Sequence, residues 1–226
     1  MIVVVANLWD HAAKAFASRW QSHGVRVLTC GDLSVAGWRQ TLTAGRASTV
    51  VVDGALVPQE QITGVLTRLS GIAEEEISGI AREDREYAAA EMTAFLWFWL
   101  SSLTCPMLNR PTVACLSGPY WRQESWVHAA AQVGIPVEPA HRRTGSRVPE
   151  EHGSFSTLTV VGERVFGETD PVLQNHARRL AGLAGVDLLA VRFSSPEAHA
   201  RLISADVFPD LTDDCVGAAI LDYLGR

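Results

Sequence analysis

The chain has 226 residues, of which 47% are hydrophobic and 19% are charged, a balance typical of a folded globular protein with one large domain or two small ones. Its 25 acidic and 19 basic residues give a net charge of -6, and the basic residues are scattered, which argues against nucleic-acid binding. The first residues lack the basic segment and cleavage site of a secretory signal, and the most apolar window, 88–103, is too short to span a bilayer, so we expect a cytoplasmic protein with no membrane partner.

The cysteine and lysine content excludes several kinds of site. The four cysteines lie far apart and have no zinc-ligand spacing, so we expect all of them to be reduced. Of the 19 basic residues only Lys14 is a lysine, and no phosphate-binding loop of the GxxxxGK[ST] type is present. A mechanism that needs two lysines is therefore excluded.

The first part of the chain alternates predicted strands and helices. Apolar, β-branched runs predict strands at 2–6, 25–29 and 48–54. A helix with apolar residues at helical spacing separates the first two runs and ends at Gly24, and a second helix is expected to start at Asp32 or Ser34. This order predicts an α/β domain with a mostly parallel sheet.

Further along, the pattern predicts another strand, an acidic loop and two helices. The strand is expected at 62–69 and is followed by Glu74 to Glu76, which we expect to be solvated. A helix is predicted over 84–103, and because it is apolar nearly all round, it should be central or covered by a partner. A shorter helix is predicted over 121–134.

A segment rich in proline, glycine and charge, 137–153, is the best predicted linker. The C-terminal third then predicts, in order, a hairpin at 155–167, a helix at 171–185, paired strands at 187–193 and 200–208, and a helix at 213–224. We expect two domains, 1–115 and 116–226.

Three stretches together resemble the ATP-grasp superfamily, close to the ribosomal-protein glutamate ligases and the ligases that modify ribosomally made peptides. They are 84–111 with its DREY and LNRP motifs, 126–137 with WVHAA and GIPV, and the C-terminal series TVVGERVFG, LAGVDLLAVRF and LISADVFPDL. The resemblance implies an N-terminal parallel-sheet domain of the pre-ATP-grasp type, followed by a truncated α+β ATP-grasp-like lobe.

The sequence departs from that superfamily where ATP would be held. About 17 residues connect the second stretch to the third, where active members have a lobe of many tens of residues with two phosphate-binding lysines. Arg142, Arg143 or Arg147 could hold phosphate instead, since guanidinium groups bind it well, but a solvated basic linker is the simpler interpretation. We therefore expect no cofactor; the alternative is ATP with Mg²⁺.

The metal-binding motif that the resemblance implies is also altered. Where the family has Glu-x-Asn, this chain has Ser204, Ala205 and Asp206, and Arg192 stands where a preceding strand usually brings an acid. Mg²⁺ sites need hard oxygen ligands. Asp206 is thus a vestigial candidate ligand, and the nearby Asp213 is more simply explained as a helix N-cap.

Candidate ligand-binding residues follow the first strand, because open α/β sheets bind ligands at the carboxyl ends of their strands. Asn7 and Asp10 occupy this position, although either could simply cap the first helix. By family comparison Arg68 and Arg110 face the same region, where they could bind a carboxylate or form ion pairs with Glu86 and Glu91. Arg192 completes the candidate ligand-binding set.

Other sites have little support in the sequence. Cys105 or Cys115 with His128 could form a nucleophile and base, but a buried cysteine is usually a small hydrophobe. Leu116 to Pro119 lacks the GxGxxG pattern of a dinucleotide site. The seven tryptophans exceed the usual density, and loss of a lobe would uncover apolar surface that could bind a partner.

These observations predict a degenerate ATP-grasp-like protein that has no catalytic residues and acts as a binding or accessory subunit in a peptide or amino-acid ligase pathway. Its partner would be a peptide, another protein or an active ligase, and it would self-associate. Two alternatives stay open: an active ATP-dependent carboxylate-amine ligase with an atypical site, and a structural homo-oligomer.

Overall fold

A computed structural model describes residues 1–41, 47–138 and 155–225. Its internal contacts divide the chain into two compact units. The first consists of Met1–Pro119 together with Leu211–Arg226, and the second is Tyr120–Asp210. Within the described ranges, no helix is both long and apolar enough to cross a membrane.

The helices and strands follow the predicted α/β order. The helices are α1 (His11–Arg19), α2 (Cys30–Leu33), α3 (Arg85–Ser102), α4 (Gln123–Gln132), α5 (Pro171–Ala184) and α6 (Asp214–Leu224). The strands are β1 (Ile2–Ala6), β2 (Val25–Leu28), β3 (Thr49–Val52), β4 (Ala55–Pro58), β5 (Gly64–Arg68), β6 (Met107–Leu108), β7 (Ser156–Val161), β8 (Arg164–Phe166), β9 (Leu188–Phe193) and β10 (Leu202–Asp206). Short 3₁₀ turns occupy Gln21–His23, Gln59–Gln61, Glu74–Ile77 and Arg82–Asp84.

The first unit contains a parallel sheet in the order β2-β1-β5-β6. All residues of β1 and β5 are buried, which explains why β1 is a continuous apolar run. The fold is thus α/β, as predicted. Helix α3 contributes Leu96, Trp99 and Leu100 to the core of this unit, while Trp97 and Phe98 on its other side are exposed.

The third predicted strand does not join the parallel sheet, which corrects the sequence prediction. β3 pairs antiparallel with β4, and the hairpin turns at Asp53 and Gly54, both of which have positive φ. An Asp-Gly pair is a strong signal for a two-residue hairpin turn, because glycine adopts positive φ without steric cost. The next strand, β5, takes the place beside β1 instead.

The second predicted helix begins earlier than expected. α2 follows Thr29, so it starts before Asp32 and Ser34. The buried Asp32 carboxylate accepts hydrogen bonds from the backbone N–H groups of Thr29 and Gly54 (2.8 and 2.7 Å). It thereby joins the start of α2 to the β3–β4 turn.

The second unit is an antiparallel sheet in the order β10-β9-β7-β8, with α5 packed against it. The hairpin predicted around Gly162 and Glu163 joins β7 to β8, and the pairing of the last two strands is confirmed. α5 begins at an Asp170 cap and ends at Gly185 in the left-handed conformation, close to its predicted limits.

The C-terminal helix packs within the first unit, although the sequence analysis assigned it to the second domain. Gly217 of α6 lies against the ring of Trp20, and the end of the helix at Leu224 lies against Gly64 of β5. Arg19 donates a hydrogen bond to the carboxylate of Asp214 at 2.9 Å. The chain therefore returns to its first unit after completing the second.

Candidate functional site

The carboxyl edge of the parallel sheet contains an ion pair between two residues predicted from the sequence. The Arg68 guanidinium donates from Nε to Oδ2 of Asp10 at 2.8 Å. Only 8% of the Arg68 side chain and 12% of the Asp10 side chain are exposed. Arg68 ends β5 and Asp10 precedes α1, so the pair joins two elements that are 58 positions apart.

Asp10 and Asn7 also organise the backbone after β1. Oδ1 of Asp10 accepts a hydrogen bond from the N–H of Ala13 at 2.8 Å and caps α1. Oδ1 of Asn7 accepts one from the N–H of Trp9 at 2.9 Å. Asp10 therefore has the capping role that was the alternative to ligand contact, and ligand binding by either residue stays a prediction.

Glu76 lies beside this edge and is not among the residues predicted from the sequence. It was expected in a solvated acidic run, yet it is buried. Its carboxylate accepts hydrogen bonds from the backbone N–H groups of Leu8 (2.9 Å) and Ala73 (3.1 Å). Such bonds compensate the desolvation of a buried charge. The neighbouring Glu74 and Glu75 are exposed as expected. Because the three glutamates are identical and consecutive, the sequence does not indicate that Glu76 is the buried one.

Arg110 has hydrogen-bond partners different from those of Arg68. Its guanidinium donates to the backbone carbonyls of Leu103 (3.4 Å) and Cys105 (3.2 Å), and the residue is exposed. The sequence suggested Glu86 and Glu91 as partners of these two arginines. In the structure Arg68 pairs with Asp10, and Arg110 bonds to backbone carbonyls.

The cysteine environments are the opposite of those that activate a thiolate. Burial raises the pKa of the Cys105 and Cys115 thiols, and burial together with the nearby Glu76 carboxylate raises the pKa of Cys30 to about 11. A nucleophilic cysteine needs a lowered pKa. The arrangement therefore fits structural thiols, and His128 belongs to the second unit.

We expect iodoacetamide at about pH 8 to modify the exposed Cys215 roughly tenfold faster than the other three cysteines. The reason is that Cys30 and Cys115 are buried and Cys105 is half-buried, and desolvation raises the pKa of all three thiols. Peptide mass spectrometry of a time course measures each rate, and unfolding in urea should make the four rates similar. Faster reaction of Cys105 or Cys115 than of Cys215 would contradict a structural role for them.

In the second unit, the residues at the implied metal position do not fit Mg²⁺. Arg192 stands opposite Ser204 in the β9–β10 register, and its guanidinium carbon lies 4.4 Å from the centre of the Phe155 ring. Asp206 is exposed, and its Oδ1 accepts a hydrogen bond from the N–H of Phe208 at 2.9 Å. Across residues 1–41, 47–138 and 155–225, no three histidine, cysteine or acidic side chains form a metal-binding group. Magnesium in proteins prefers carboxylate and water oxygens, and of Arg192, Ser204 and Asp206 only Asp206 has a carboxylate.

The structure describes the single lysine of the chain but not the three arginines suggested for phosphate. Lys14 belongs to α1, and its ammonium donates to the carbonyl of Leu8 at 2.6 Å. Arg142, Arg143 and Arg147 lie outside the described residues. The side chain of Asp213 accepts hydrogen bonds from the N–H groups at the start of α6, which confirms the predicted N-cap.

Comparison with known proteins identifies the fold. No protein-family model and no curated protein sequence matches the chain. Among solved structures, it is similar to the macrocyclase MdnC of Microcystis aeruginosa bound with precursor peptide MdnA, with a TM-score of 0.69, 9% identity, and all of both chains covered. It is also similar to a Chryseobacterium gregarium RiPP-associated ATP-grasp ligase in complex with ADP and a leader and core peptide (TM-score 0.67, 15% identity, 99% of this chain and 96% of that chain).

A third similar structure is the ATP-grasp ligase PsnB complexed with minimal precursor, Mg and ADP, with a TM-score of 0.65, 13% identity, and coverage of 100% of this chain and 98% of that chain. At these identities the likeness concerns the fold. The mixed α/β architecture, with one parallel and one antiparallel sheet, is thus consistent with the ATP-grasp-like fold that the sequence resemblance implied.

Proposed function

We propose that this chain is a non-catalytic binding or accessory protein in a peptide ligase pathway, with a peptide or an active ligase as its partner. The fold likeness to peptide-bound ATP-grasp ligases supports the pathway, because MdnC and the Chryseobacterium gregarium enzyme are both described with their peptides. Fold alone does not specify function, so the residues at the site must carry the rest.

The observation that carries the proposal is the β9–β10 pairing. Arg192 stands in register with Ser204, so a fixed positive charge occupies the strand position where the family resemblance implies an acid. Asp206 is the remaining carboxylate of the altered motif, and it is exposed and engaged in a local turn. A ligase that activates a carboxylate with ATP needs cations to neutralise the triphosphate, and the altered motif offers a magnesium ion the single carboxylate of Asp206.

The rival function is an ATP-dependent carboxylate-amine ligase. The complexes of similar structures with ADP, and in one case with Mg, favour it. In that case arginine side chains would take the place of the phosphate-binding lysines, and Asp206 would hold the metal through water and phosphate.

Titration with Mg-ATP separates these two functions. We expect no binding heat in isothermal titration calorimetry at concentrations up to about 1 mM, and no shift in melting temperature, because the chain has a single lysine and the ammonium of that residue, Lys14, donates to the carbonyl of Leu8. The control is Asp187→Ala, which removes an exposed carboxylate outside the altered motif. Micromolar binding that is lost in Asp206→Ala and kept in Asp187→Ala would establish the rival.

The accessory role is tested by binding to the peptides and ligases encoded beside the gene of this chain. Purified components, mixed and separated by size-exclusion chromatography with light scattering, should form a complex of defined mass. Self-association is measured in the same run. A chain that stays monomeric with every component would refute the accessory role, whereas a dimer without other partners would favour the structural homo-oligomer.

A further inference from the structure

The first unit contains an open cleft of about 780 Å³ that is separate from the ion pair at the sheet edge. Three segments form it: the outer side of α3, the loop 70–74 after β5, and the turn 112–116. Ile72, Ala89 and Leu116 are among the buried apolar residues that line it. The volume lies within the range of about 300 to 1,000 Å³ that is usual for ligand sites.

The three segments are joined to one another by hydrogen bonds. The Thr93 hydroxyl of α3 accepts from the N–H of Ile72 at 2.9 Å. The Trp97 indole donates from Nε1 to the carbonyl of Thr112 at 3.1 Å. The N–H of Leu116 donates to the carbonyl of Ser70 at 3.1 Å. Each pair of segments is therefore joined by a direct hydrogen bond. The cleft is preformed, so binding an occupant costs no free energy for ordering its walls.

Large apolar side chains are exposed at the lips of the cleft. Val113 in the turn is 96% exposed, and Trp97 on α3 is 40% exposed. Along α3 the cleft is lined by small side chains, which include Ala90 and Ala94. Large apolar groups of a partner could therefore approach the helix backbone and contact both lips at once. Aromatic residues such as tryptophan are common anchors at protein interfaces.

The rim of the cleft is acidic. Glu74 and Glu86 line it, and among the described lining residues there is no lysine or arginine. The segment 74–86, whose Glu74 and Glu86 line the cleft, carries five exposed acidic residues, namely Glu74, Glu75, Glu83, Asp84 and Glu86. The segment also contains two arginines. Arg85 donates to the carbonyls of Ile80 and Ser78, and Arg82 is exposed but does not line the cleft. The rim disfavours nucleotides and other anions and favours a cationic occupant.

We propose that this cleft binds a peptide segment in which large apolar side chains alternate with lysine or arginine. The apolar side chains would fill the cleft between α3 and the turn 112–116, and the basic side chains would lie beside Glu74 and Glu86. This inference deepens the proposed function and rests on it, since it names the partner chemistry and the surface that a binding subunit would use.

The test uses a fluorescein-labelled synthetic peptide, Gly-Lys-Leu-Lys-Phe-Lys-Gly, and fluorescence anisotropy with the full chain. Two matched peptides replace the lysines by glutamate or the leucine and phenylalanine by serine. We expect a Kd of roughly 10 to 100 µM for the first peptide and at least about tenfold weaker binding for each of the others. Raising NaCl from about 50 to about 500 mM should weaken binding severalfold because exposed charges are screened.

Variants of the chain locate the binding surface. Ala94→Arg fills the cleft from an exposed helix position. The double variant Glu74→Lys with Glu86→Lys reverses the charge of the rim from negative to positive. Each should weaken binding of the basic peptide about tenfold. The matched controls are Ala15→Arg on α1, and Glu60→Lys with Glu163→Lys, which changes the net charge by the same amount at exposed positions away from the cleft. The controls should bind as the natural chain does.

Three results would overturn the proposal. These are equal binding of the acidic and basic peptides, unchanged binding in both cleft variants, and a dimer that Ala94→Arg converts to monomer, which would make the cleft a contact between two copies of the chain. Failure of the proposed function can be told apart from failure of the cleft proposal. If co-encoded peptides bind equally to the cleft variants, only the cleft is wrong, whereas Asp206-dependent binding of Mg-ATP refutes the accessory function whatever the cleft binds.

Discussion

Replacing Asp10 with alanine should lower the free energy of unfolding of the first unit by about 1.5 to 3 kcal/mol, because it removes a carboxylate that accepts a charged hydrogen bond from Arg68 Nε at 2.8 Å where both side chains are largely buried. Loss of the α1 cap accounts for only about 1 kcal/mol of such an effect. The measurement is hydrogen exchange by mass spectrometry on peptides that cover β1 and β5, since this reports on the first unit separately from the second.

Two further variants separate the charge from the cap. Asp10→Asn keeps an oxygen that can accept from the N–H of Ala13, so it should lose stability through the ion pair alone. Asp213→Ala removes an exposed N-cap of α6 and should cost only about 1 kcal/mol. A loss in Asp10→Ala no larger than that in Asp213→Ala would contradict a structural role for the buried pair.

Replacing Gly64 with alanine should destabilise the first unit by about 1 to 3 kcal/mol through overpacking against α6. A Cβ atom at this position would lie 2.4 Å from the carbonyl oxygen of Leu224 and 2.6 Å from its Cβ. Because the closest atom belongs to the backbone, a simple change of rotamer cannot relieve the contact. Urea unfolding, with hydrogen exchange of α6 as a second readout, measures the effect.

Gly182→Ala is the matched control for this substitution. Gly182 lies in α5, is exposed, and would have no neighbour within 4 Å of an added Cβ. Alanine is the better helix former by about 1 kcal/mol, so stability should rise. If Gly64→Ala raised stability as Gly182→Ala does, the result would contradict the close packing of the C-terminal helix against β5.

The sequence predicted where the candidate site lies in the fold, but it did not predict which residues of the site bond to one another. The rule that ligands bind at the carboxyl ends of strands selected Asn7 and Asp10, and both lie at that edge. The partner of Arg68 was not predictable, because Glu86 and Glu91 were as plausible as Asp10 from charge alone. Which carboxylate meets the guanidinium depends on how β5 aligns with β1, and that register brings Ala6 opposite Arg68.

The sequence by itself determined the local elements. The β-branched run of β1, the Asp170 cap and left-handed Gly185 around α5, and the Gly162 hairpin all depend on residues within a few positions of one another. Local preferences of this kind act before the chain has closed any long loop, so they can be recognised in the linear sequence.

Only the tertiary structure decided how these elements pair. β3 is apolar enough for the central sheet, yet its Asp-Gly turn pairs it with β4 and leaves the place beside β1 to β5. Glu76 is buried while its neighbours are solvated, and α6 packs on the first unit after the chain has completed the second. These outcomes depend on contacts between residues far apart in sequence, whose free energy is set by burial and hydrogen bonding in the assembled fold rather than by the residues beside them.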